Sequence, residues 1–160
     1  MNSGHAREQR FAKAAEVLIE ARIRNRPVEK GGCGCPILVE GKRDRRALRS
    51  LGFRGPIELV NRGWGLERLC GWLAEFLAHR NPIDGREALI LLMDWDRTGG
   101  RLQRELKRRL ETLDIKVDGN TRSNLSRVLR PDTTVVEGLY SMSSELRPLM
   151  KEMDPMDDEE

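Results

Sequence analysis

The sequence predicts an α/β protein with a mostly parallel sheet and helices on both faces. Short apolar runs alternate with longer amphipathic stretches along the 160-residue chain, and repeated strand–helix units produce this pattern. The clearest run, 88–93, ends in Asp94-Trp95-Asp96, and a second run, 36–39, ends in Glu40-Gly41. Runs this short and this apolar are typical of strands that are buried on both faces, as in a parallel sheet.

The first elements follow from helical spacing and from glycine and proline positions. Apolar residues at helical spacing predict an amphipathic helix over 7–24, which Pro27 should end. The stretch 28–35 holds three glycines and indicates a linker. A first strand is expected over 37–40, and the helix after it should run from about Asp44.

The later elements repeat the same alternation. We predict further strands at 56–60, 88–94, 115–117 and 133–136. Helices are expected from 66 to about 79–82, around the inward leucines between 102 and 113, and over 121–129 and 143–153. We divide the chain into an N-terminal amphipathic helix with a glycine-rich linker, an α/β domain, and a C-terminal helix with an acidic tail. These three parts span 1–35, 36–138 and 139–160.

Charge is spread unevenly along the chain. The net charge is +3, but residues 151–160 carry six acids and one base, so residues 1–150 carry +8. A basic body with an acidic tail fits an anionic partner, and nucleic acid, RNA or DNA, is the first candidate. The alternative is an ordinary solvated surface with a disordered tail.

Several classes of protein are disfavoured. No apolar run approaches the roughly 18 residues of a membrane helix, and the polar N-terminus lacks the apolar core of a signal peptide. Cys33, Cys35 and Cys70 form neither a disulfide framework nor a familiar zinc pattern. We therefore expect a cytoplasmic protein that does not contact membranes.

The carboxylates that follow the two apolar runs predict a metal site. The carboxyl ends of parallel strands meet at one edge, so Glu40 would lie near Asp94 and Asp96 if their strands are neighbours. Carboxylates removed from water should be paired or bound to a cation. Mg²⁺ (or Mn²⁺) needs only one or two of them together with a substrate phosphate. The alternative is that the aspartates cap the following helix.

Two motifs carry a resemblance to a known family. Leu38-Val39-Glu40-Gly41-Lys42-x-Asp44, followed about fifty residues later by Leu92-Met93-Asp94-Trp95-Asp96-x-x-Gly99, resembles the Toprim domain over roughly 36–138. The first motif is most similar to ribonuclease M5 and to small stand-alone archaeal Toprim proteins. The resemblance implies a Toprim/Rossmann-like sheet, close to the fold that periodicity predicts independently.

The resemblance also implies roles for individual residues. Glu40 would be the general acid/base and a metal ligand, and Asp94 and Asp96 would bind Mg²⁺. Gly41 would let the chain turn tightly beside a phosphate. The implied activity is that of a small metal-dependent nuclease, ribonuclease M5-like or primase-like, that acts in RNA processing or DNA repair.

Side chains near the motifs are candidates for binding the nucleic acid. With Gly41, the cations expected to do so are Lys42, Arg43, Arg97 and Arg101. Cations at helix starts attract phosphate, although such charges are also common on solvated helices. Asp44 is expected to cap its helix, and Glu137 to be a surface glutamate. Trp64 could stack a base or cover the sheet edge.

Three functions remain open at this stage. The first is a nuclease or nucleotidyl-transfer enzyme, and the second is a non-catalytic nucleic-acid-binding Toprim module that acts with partner proteins. The third is a regulatory α/β domain whose acids only stabilise it. The lone tyrosine, Tyr140, does not fit a topoisomerase. No recognition region like that of ribonuclease M5 is evident, so a protein partner could supply substrate recognition.

Overall fold

The computed structural model describes residues 3–78 and 82–156, and within these ranges it contains six α-helices and four strands. In chain order they are α1 (Ser3–Asn25), β1 (Ile37–Val39), α2 (Lys42–Ser50), β2 (Ile57–Leu59), α3 (Leu66–Ala78), β3 (Leu89–Leu91), α4 (Arg97–Thr112), β4 (Val117–Asp118), α5 (Asn120–Leu129) and α6 (Ser143–Met153). Short 3-10 helices lie at Val28–Lys30 and Val136–Leu139. No helix in the described ranges is both long and apolar enough to cross a membrane.

The four strands form one parallel sheet in the order β2-β1-β3-β4. Ile37 of β1 lies opposite Ile57 of β2 on one side and opposite Ile90 of β3 on the other. The predicted α/β class is therefore confirmed. Because β1 and β3 are neighbours, the residues that follow them leave the sheet side by side.

Helices cover both faces of the sheet. Alternate strand residues point to opposite faces, so Ile37 and Ile90 join a core with α1, α2, α5 and α6. Leu38 and Leu91 join a second core with α3 and α4. The sheet thus lies between two apolar layers, and its carboxyl-terminal edge emerges between the helices.

The N-terminal helix is part of the main core. Phe11 and Leu18 of α1 are buried in the same cluster as the sheet. At the end of α1, the Asn25 side chain donates to the carbonyl oxygens of Cys35 and Pro56, at 2.8 and 3.0 Å. Its Oδ1 accepts the N–H of Gly55 at 3.0 Å. Through these bonds Asn25 ties α1 to the starts of β1 and β2.

The predicted fifth strand, 133–136, is wrong. Trp95 donates its backbone N–H to the Thr134 carbonyl at 2.9 Å, and the N–H of Val136 goes to Asp94 Oδ1 at 2.7 Å. These backbone groups are therefore committed to the loop after β3, and the chain continues into the 3-10 helix at Val136–Leu139. These tertiary hydrogen bonds override the strand propensity of residues 133–136. Glu137 is exposed, as expected.

The start of the acidic tail is a buried structural element. Asp154 is 3% exposed and pairs with Arg22 and Arg26 of α1. Arg22 also donates to the carbonyl of Leu51 at 2.8 Å. The segment after α6 is thus fastened to α1 and is not a solvated tail at this point. The last four residues of the predicted tail, 157–160, lie outside the described residues.

Candidate functional site

Glu40 and Asp94 come together at the carboxyl-terminal edge of the sheet. Glu40 follows β1 and Asp94 lies three residues beyond β3. The backbone N–H of Asp94 donates to Glu40 Oε2 at 3.0 Å, and the Glu40 carboxylate contributes to a raised pKa of the Asp94 carboxyl. The parallel register of β1 and β3 produces this pair, as the sequence predicts.

Asp94 is held in a setting that disfavours its charged form. Burial raises the pKa of its carboxyl to about 7, and the carboxylates of Glu40 and Asp44 add to the rise. The N–H of Val136, bound to Asp94 Oδ1, acts in the opposite direction but does not outweigh burial. Near neutral pH, the Asp94 carboxyl is therefore protonated in part of the molecules and ionised in the rest.

A third carboxylate, Asp44, lies behind the pair. It is buried at the third position of α2, and its Oδ2 accepts the N–H of Gly41 at 2.9 Å. Gly41, not Asp44 as predicted, is the N-cap of α2, but the Asp44 side chain binds the N–H of Gly41 and so secures the first turn. Burial raises the pKa of Asp44, and the charges of Glu40 and Glu137 raise it further.

Asp96 has a different role from Asp94. Its Oδ1 accepts the N–H of Gly99 at 2.7 Å, so Asp96 is the N-cap of α4. The intervening Trp95 is buried, and its indole N–H donates to the Thr133 carbonyl. A Cβ at position 99 would lie 2.1 Å from the Asp94 carbonyl oxygen, so this turn requires glycine.

The predicted three-carboxylate metal site is therefore only partly assembled. Among residues 3–78 and 82–156, no three acidic, histidine or cysteine side chains are grouped so that they could hold a metal ion. The Glu40–Asp94 pair is in place, whereas Asp96 is engaged at the start of α4. A metal at this edge would have to depend mainly on the pair.

The predicted nucleic-acid-binding residues surround this edge. Gly41 and Lys42 lie at the start of α2, and Arg97 and Arg101 lie in the first turns of α4. Lys42, Arg43, Arg97 and Arg101 are exposed, and Gly41 is half-buried. The two helices begin just after Glu40 and Asp94, so these cations lie on the same side of the sheet as the pair.

Sequence reasoning missed a further set of cations beside the pair. A groove of about 470 Å³ between α4 and α5 is lined by Arg104, Lys107 and Arg122, among others. Arg122 Nη2 donates to the Asp94 carbonyl at 2.9 Å, and its Nε donates to the Met93 carbonyl at 3.1 Å. Burial lowers the pKa of Arg122, and the neighbouring Arg104 lowers it further. Helical spacing on α4 could have suggested Arg104 and Lys107, but no sequence signal links Arg122 to them.

Trp64 packs against α3 at the β2 side of the sheet. Its ring meets Trp72 edge-on, with centroids 5.9 Å apart, and Trp72 stacks on Phe76 at 5.4 Å. The guanidiniums of Arg62 and Arg68 lie 5.3 and 4.2 Å from the Trp64 centroid. Trp64 therefore packs on α3 while it remains partly exposed, and base stacking at this residue stays a prediction.

The chain is similar to several proteins that share one family name. It is 37% identical over 106 residues to a UPF0292 protein of Thermococcus onnurineus, which covers 66% of this chain and 71% of that protein. A UPF0292 protein of Methanosarcina acetivorans is 31% identical over 139 residues, with 87% and 85% covered. A UPF0292 protein of Methanosarcina barkeri is 30% identical over 119 residues, with 74% and 76% covered.

A solved structure described as a putative protein from Aquifex aeolicus shares the fold. It superimposes with a TM-score of 0.52 at 23% identity and covers 78% of this chain and 93% of that one. At this identity the similarity shows the fold alone. It agrees with the parallel α/β architecture described above.

These comparisons correct the resemblance drawn from the two motifs. No protein-family model matches the chain, and the relatives carry the name UPF0292, not that of the Toprim domain or of ribonuclease M5. The assignment to the Toprim family is therefore wrong, because a short glutamate motif and an Asp-x-Asp pair did not suffice to identify a family. The archaeal character expected from the motifs agrees with relatives from Thermococcus and Methanosarcina. With more than two thirds of these relatives covered at 30% identity or above, the chain belongs to the UPF0292 family.

Proposed function

We propose that this protein is a divalent-cation-dependent phosphoryl-transfer protein that acts on nucleic acid, in its simplest form a nuclease. The observation that carries the proposal is the Glu40–Asp94 carboxyl pair at neighbouring strand ends. Within the described residues, no lysine or arginine forms an ion pair with Glu40, Asp44 or Asp94. Carboxylates with perturbed protonation at a sheet edge are typical of functional sites.

The donor set of the pair fits a hard cation such as Mg²⁺ or Mn²⁺. Such ions prefer oxygen ligands, keep several waters, and use one or two protein carboxylates with substrate phosphate. Glu40 and Asp94 would hold the ion, and Asp96 could add its Oδ2, because only Oδ1 is used by Gly99. A bound cation would supply charge neutralisation for the phosphoryl group and a lower pKa for water.

Glu40 is the residue we assign to proton transfer. The Asp94 N–H fixes Glu40 Oε2 at 3.0 Å, so its carboxylate has a defined position at the sheet edge. A carboxylate positioned in this way can accept a proton from an attacking water or return one to a leaving oxygen. General acid–base catalysis also explains why the side chain would be kept next to a second acid.

The surrounding charges suit a nucleic-acid substrate, RNA or DNA. Lys42, Arg43, Arg97 and Arg101 would attract the phosphate backbone to the edge that holds the pair. Gly41, at the start of α2, would allow close approach of the chain to a phosphate. We also propose a cytoplasmic location, which is supported by three unpaired cysteines, Cys33, Cys35 and Cys70.

The test is cleavage of structured RNA and DNA with Mg²⁺ or Mn²⁺. Glu40→Gln should reduce turnover at least about a hundredfold, because it removes proton transfer while shape is kept, and nucleic-acid affinity should hardly change. Glu111→Gln is the matched control, since Glu111 is an exposed glutamate at the carboxyl-terminal end of α4, away from the pair. If both variants cleave as well as the wild type, the catalytic assignment fails.

A second candidate is a non-catalytic nucleic-acid-binding protein that acts with a partner protein. The engagement of Asp96 as the cap of α4 favours it, since this leaves a cation with two main ligands. Under this alternative the wild type binds nucleic acid but cleaves none of the substrates with either metal. The partner would then supply substrate recognition and chemistry.

A further inference from the structure

We propose that the groove between α4 and α5 binds the phosphate groups of a nucleic-acid strand. This α4–α5 groove, lined by Gln103, Arg104, Lys107, Asn120, Arg122 and Ser123, has a volume of about 470 Å³. The inference rests on the proposed function for the identity of the strand. It adds a binding surface beyond the residues at the sheet edge.

Two guanidiniums of like charge converge at one wall of the groove. A Cβ on Gly100 would lie 3.4 Å from Arg122 Nη2 and 3.5 Å from Arg104 Nη1, so both side chains reach over this glycine. Both guanidinium groups therefore lie within contact distance of the same residue. Like charges held close together repel each other, and an anion between them removes that repulsion.

One of the two acids that line the groove, Asp118, is satisfied by neighbouring groups. Asp118 Oδ1 accepts the N–H groups of Asn120 and Thr121, and its Oδ2 lies 3.5 Å from Arg24 Nη1. The other acid, Glu87, has its Oε1 buried without a hydrogen bond, 3.8 Å from the Arg86 guanidinium. It faces three cations of the groove lining, Arg104, Lys107 and Arg122. The amino end of α5 is thus capped by Asp118, and the attraction for an anion comes from cationic side chains.

Two cations of the groove, Arg104 and Lys107, are not neutralised by acidic side chains of the described residues. Over the ranges 3–78 and 82–156, neither Arg104 nor Lys107 forms an ion pair. Both are exposed, as are Asn120 and Ser123, whose side chains can donate to phosphate oxygens. The groove is therefore a positive surface that a polymer can reach from solvent.

Arg122 links this surface to the carboxyl pair. Its Nη2 and Nε atoms donate to the Asp94 carbonyl at 2.9 and 3.1 Å. Arg122 therefore lines the groove and also contacts the backbone of Asp94, a member of the carboxyl pair. Phosphates along Lys107, Arg104 and Arg122 would occupy a row of cations that ends at a contact with Asp94. A row of this kind favours a polynucleotide over a single free phosphate.

The experiment measures binding by the full chain, without metal, so that it does not depend on cleavage. A labelled single-stranded oligonucleotide, RNA in one arm and DNA in another, is titrated in EDTA and followed by fluorescence anisotropy over a range of salt. The variant is Arg104→Gln with Lys107→Gln. The matched control, Arg108→Gln with Arg127→Gln, removes the same charge from exposed positions of α4 and α5 outside the groove lining.

The groove variant should bind about tenfold more weakly than the wild type, and the control no more than about threefold. The slope of log affinity against log salt should fall by about 1.4 in the groove variant, because each lost phosphate contact on a single strand accounts for about 0.7. Equal behaviour of the two variants overturns the inference, as does an absence of oligonucleotide binding by the wild type. Inorganic phosphate or a mononucleotide that displaces the strand at comparable phosphate concentration would overturn the assignment to a polymer.

The outcome separates this inference from the proposed function. If Glu40→Gln abolishes cleavage while the groove variant binds like its control, the nuclease stands and the groove assignment falls. If nothing is cleaved but the groove variant loses binding, the groove stands and the nuclease falls. Thermal melting of both double variants checks that folding is preserved, as expected for exposed positions.

Discussion

Asp154 and Asp94 are two carboxylates that are partly or wholly removed from water, and their surroundings shift the pKa in opposite directions. Burial alone would raise the pKa of Asp154, but hydrogen bonds from Arg26 and Arg22 outweigh it and hold the pKa below its ordinary value. Asp94 receives only the backbone N–H of Val136 against burial and two acidic neighbours, and its pKa rises to about 7. The first carboxylate is neutralised by the protein, whereas the second is not.

The difference indicates which of the two regions has a function beyond structure. The chain has 29 lysines and arginines and uses two of its arginines to satisfy Asp154. At the Glu40–Asp94 pair it instead places acids together, which lowers stability. Like charges kept together without a protein counter-ion are expected where an external cation binds. The cluster of Asp154, Arg22 and Arg26 therefore stabilises the fold, and the Glu40–Asp94 pair is the candidate site.

The largest expected effect comes from removing the neutralised carboxylate. Asp154→Ala leaves two arginine side chains at 1% and 10% exposure without the group that both bind. Loss of one partner from a buried ion pair typically costs about 3 to 5 kcal/mol, so we expect the free energy of unfolding to fall by about 3 kcal/mol. Urea denaturation measures this loss. Glu152→Ala, at an exposed neighbouring position, should stay within about 0.5 kcal/mol, and a similarly small effect at Asp154 would break the comparison.

At Asp94, by contrast, removal of the carboxylate charge should raise the free energy of unfolding. The pKa of Asp94 in the folded protein is about 7, above the ordinary value of about 3.9 in an unfolded chain. The folded state therefore holds the proton more tightly, and the free energy of unfolding should fall as pH rises from about 4 to about 7. Asp94→Asn cannot ionise, and its amide oxygen can still accept the Val136 N–H. At pH 8 in EDTA the variant should be more stable by on the order of 1 kcal/mol, a discounted figure because Asp94 is only half-buried.

Urea denaturation at pH 5 and pH 8 checks the Asp94 prediction. The gain in stability should appear at pH 8 and largely vanish at pH 5. Asp114→Asn serves as the control, because Asp114 is exposed and its φ of 63° suits asparagine as well as aspartate. A wild type whose stability does not change between these pH values would remove the contrast with Asp154.

The sequence predicts the parts of this comparison that depend on periodicity. The run 88–93 indicates a buried strand, and the parallel arrangement brings Glu40 next to Asp94. Both inferences need only the spacing of apolar residues and the rule that parallel strands share an edge. The start of α3 and both bounds of α6 follow from the same spacing and agree with the structure.

The environment of each carboxylate could not be predicted in this way. Asp154 lies in an acidic stretch, and its arginine partners are 128 and 132 positions earlier in the chain. The N–H that binds Asp94 comes from Val136, 42 residues later, in a segment whose composition predicts a strand. Such contacts between distant segments depend on tertiary packing, which leaves no local pattern. The Arg122 contact with Asp94, over 28 residues, was missed for the same reason.

The smallest effect is expected at Asp96, and it tests how far the candidate site extends. Because Asp96 caps α4 through Gly99, Asp96→Ala should cost about 1 kcal/mol, while Asp96→Asn keeps an acceptor and should cost only a few tenths. If the cation depends mainly on Glu40 and Asp94, calorimetric titration with Mn²⁺ should show binding that Asp94→Asn abolishes. Asp96→Asn should then weaken Mn²⁺ binding by less than about threefold. Equal loss in both variants would mean that Asp96 turns towards the ion when it binds, and the cap in the structure would be one of two states of that side chain.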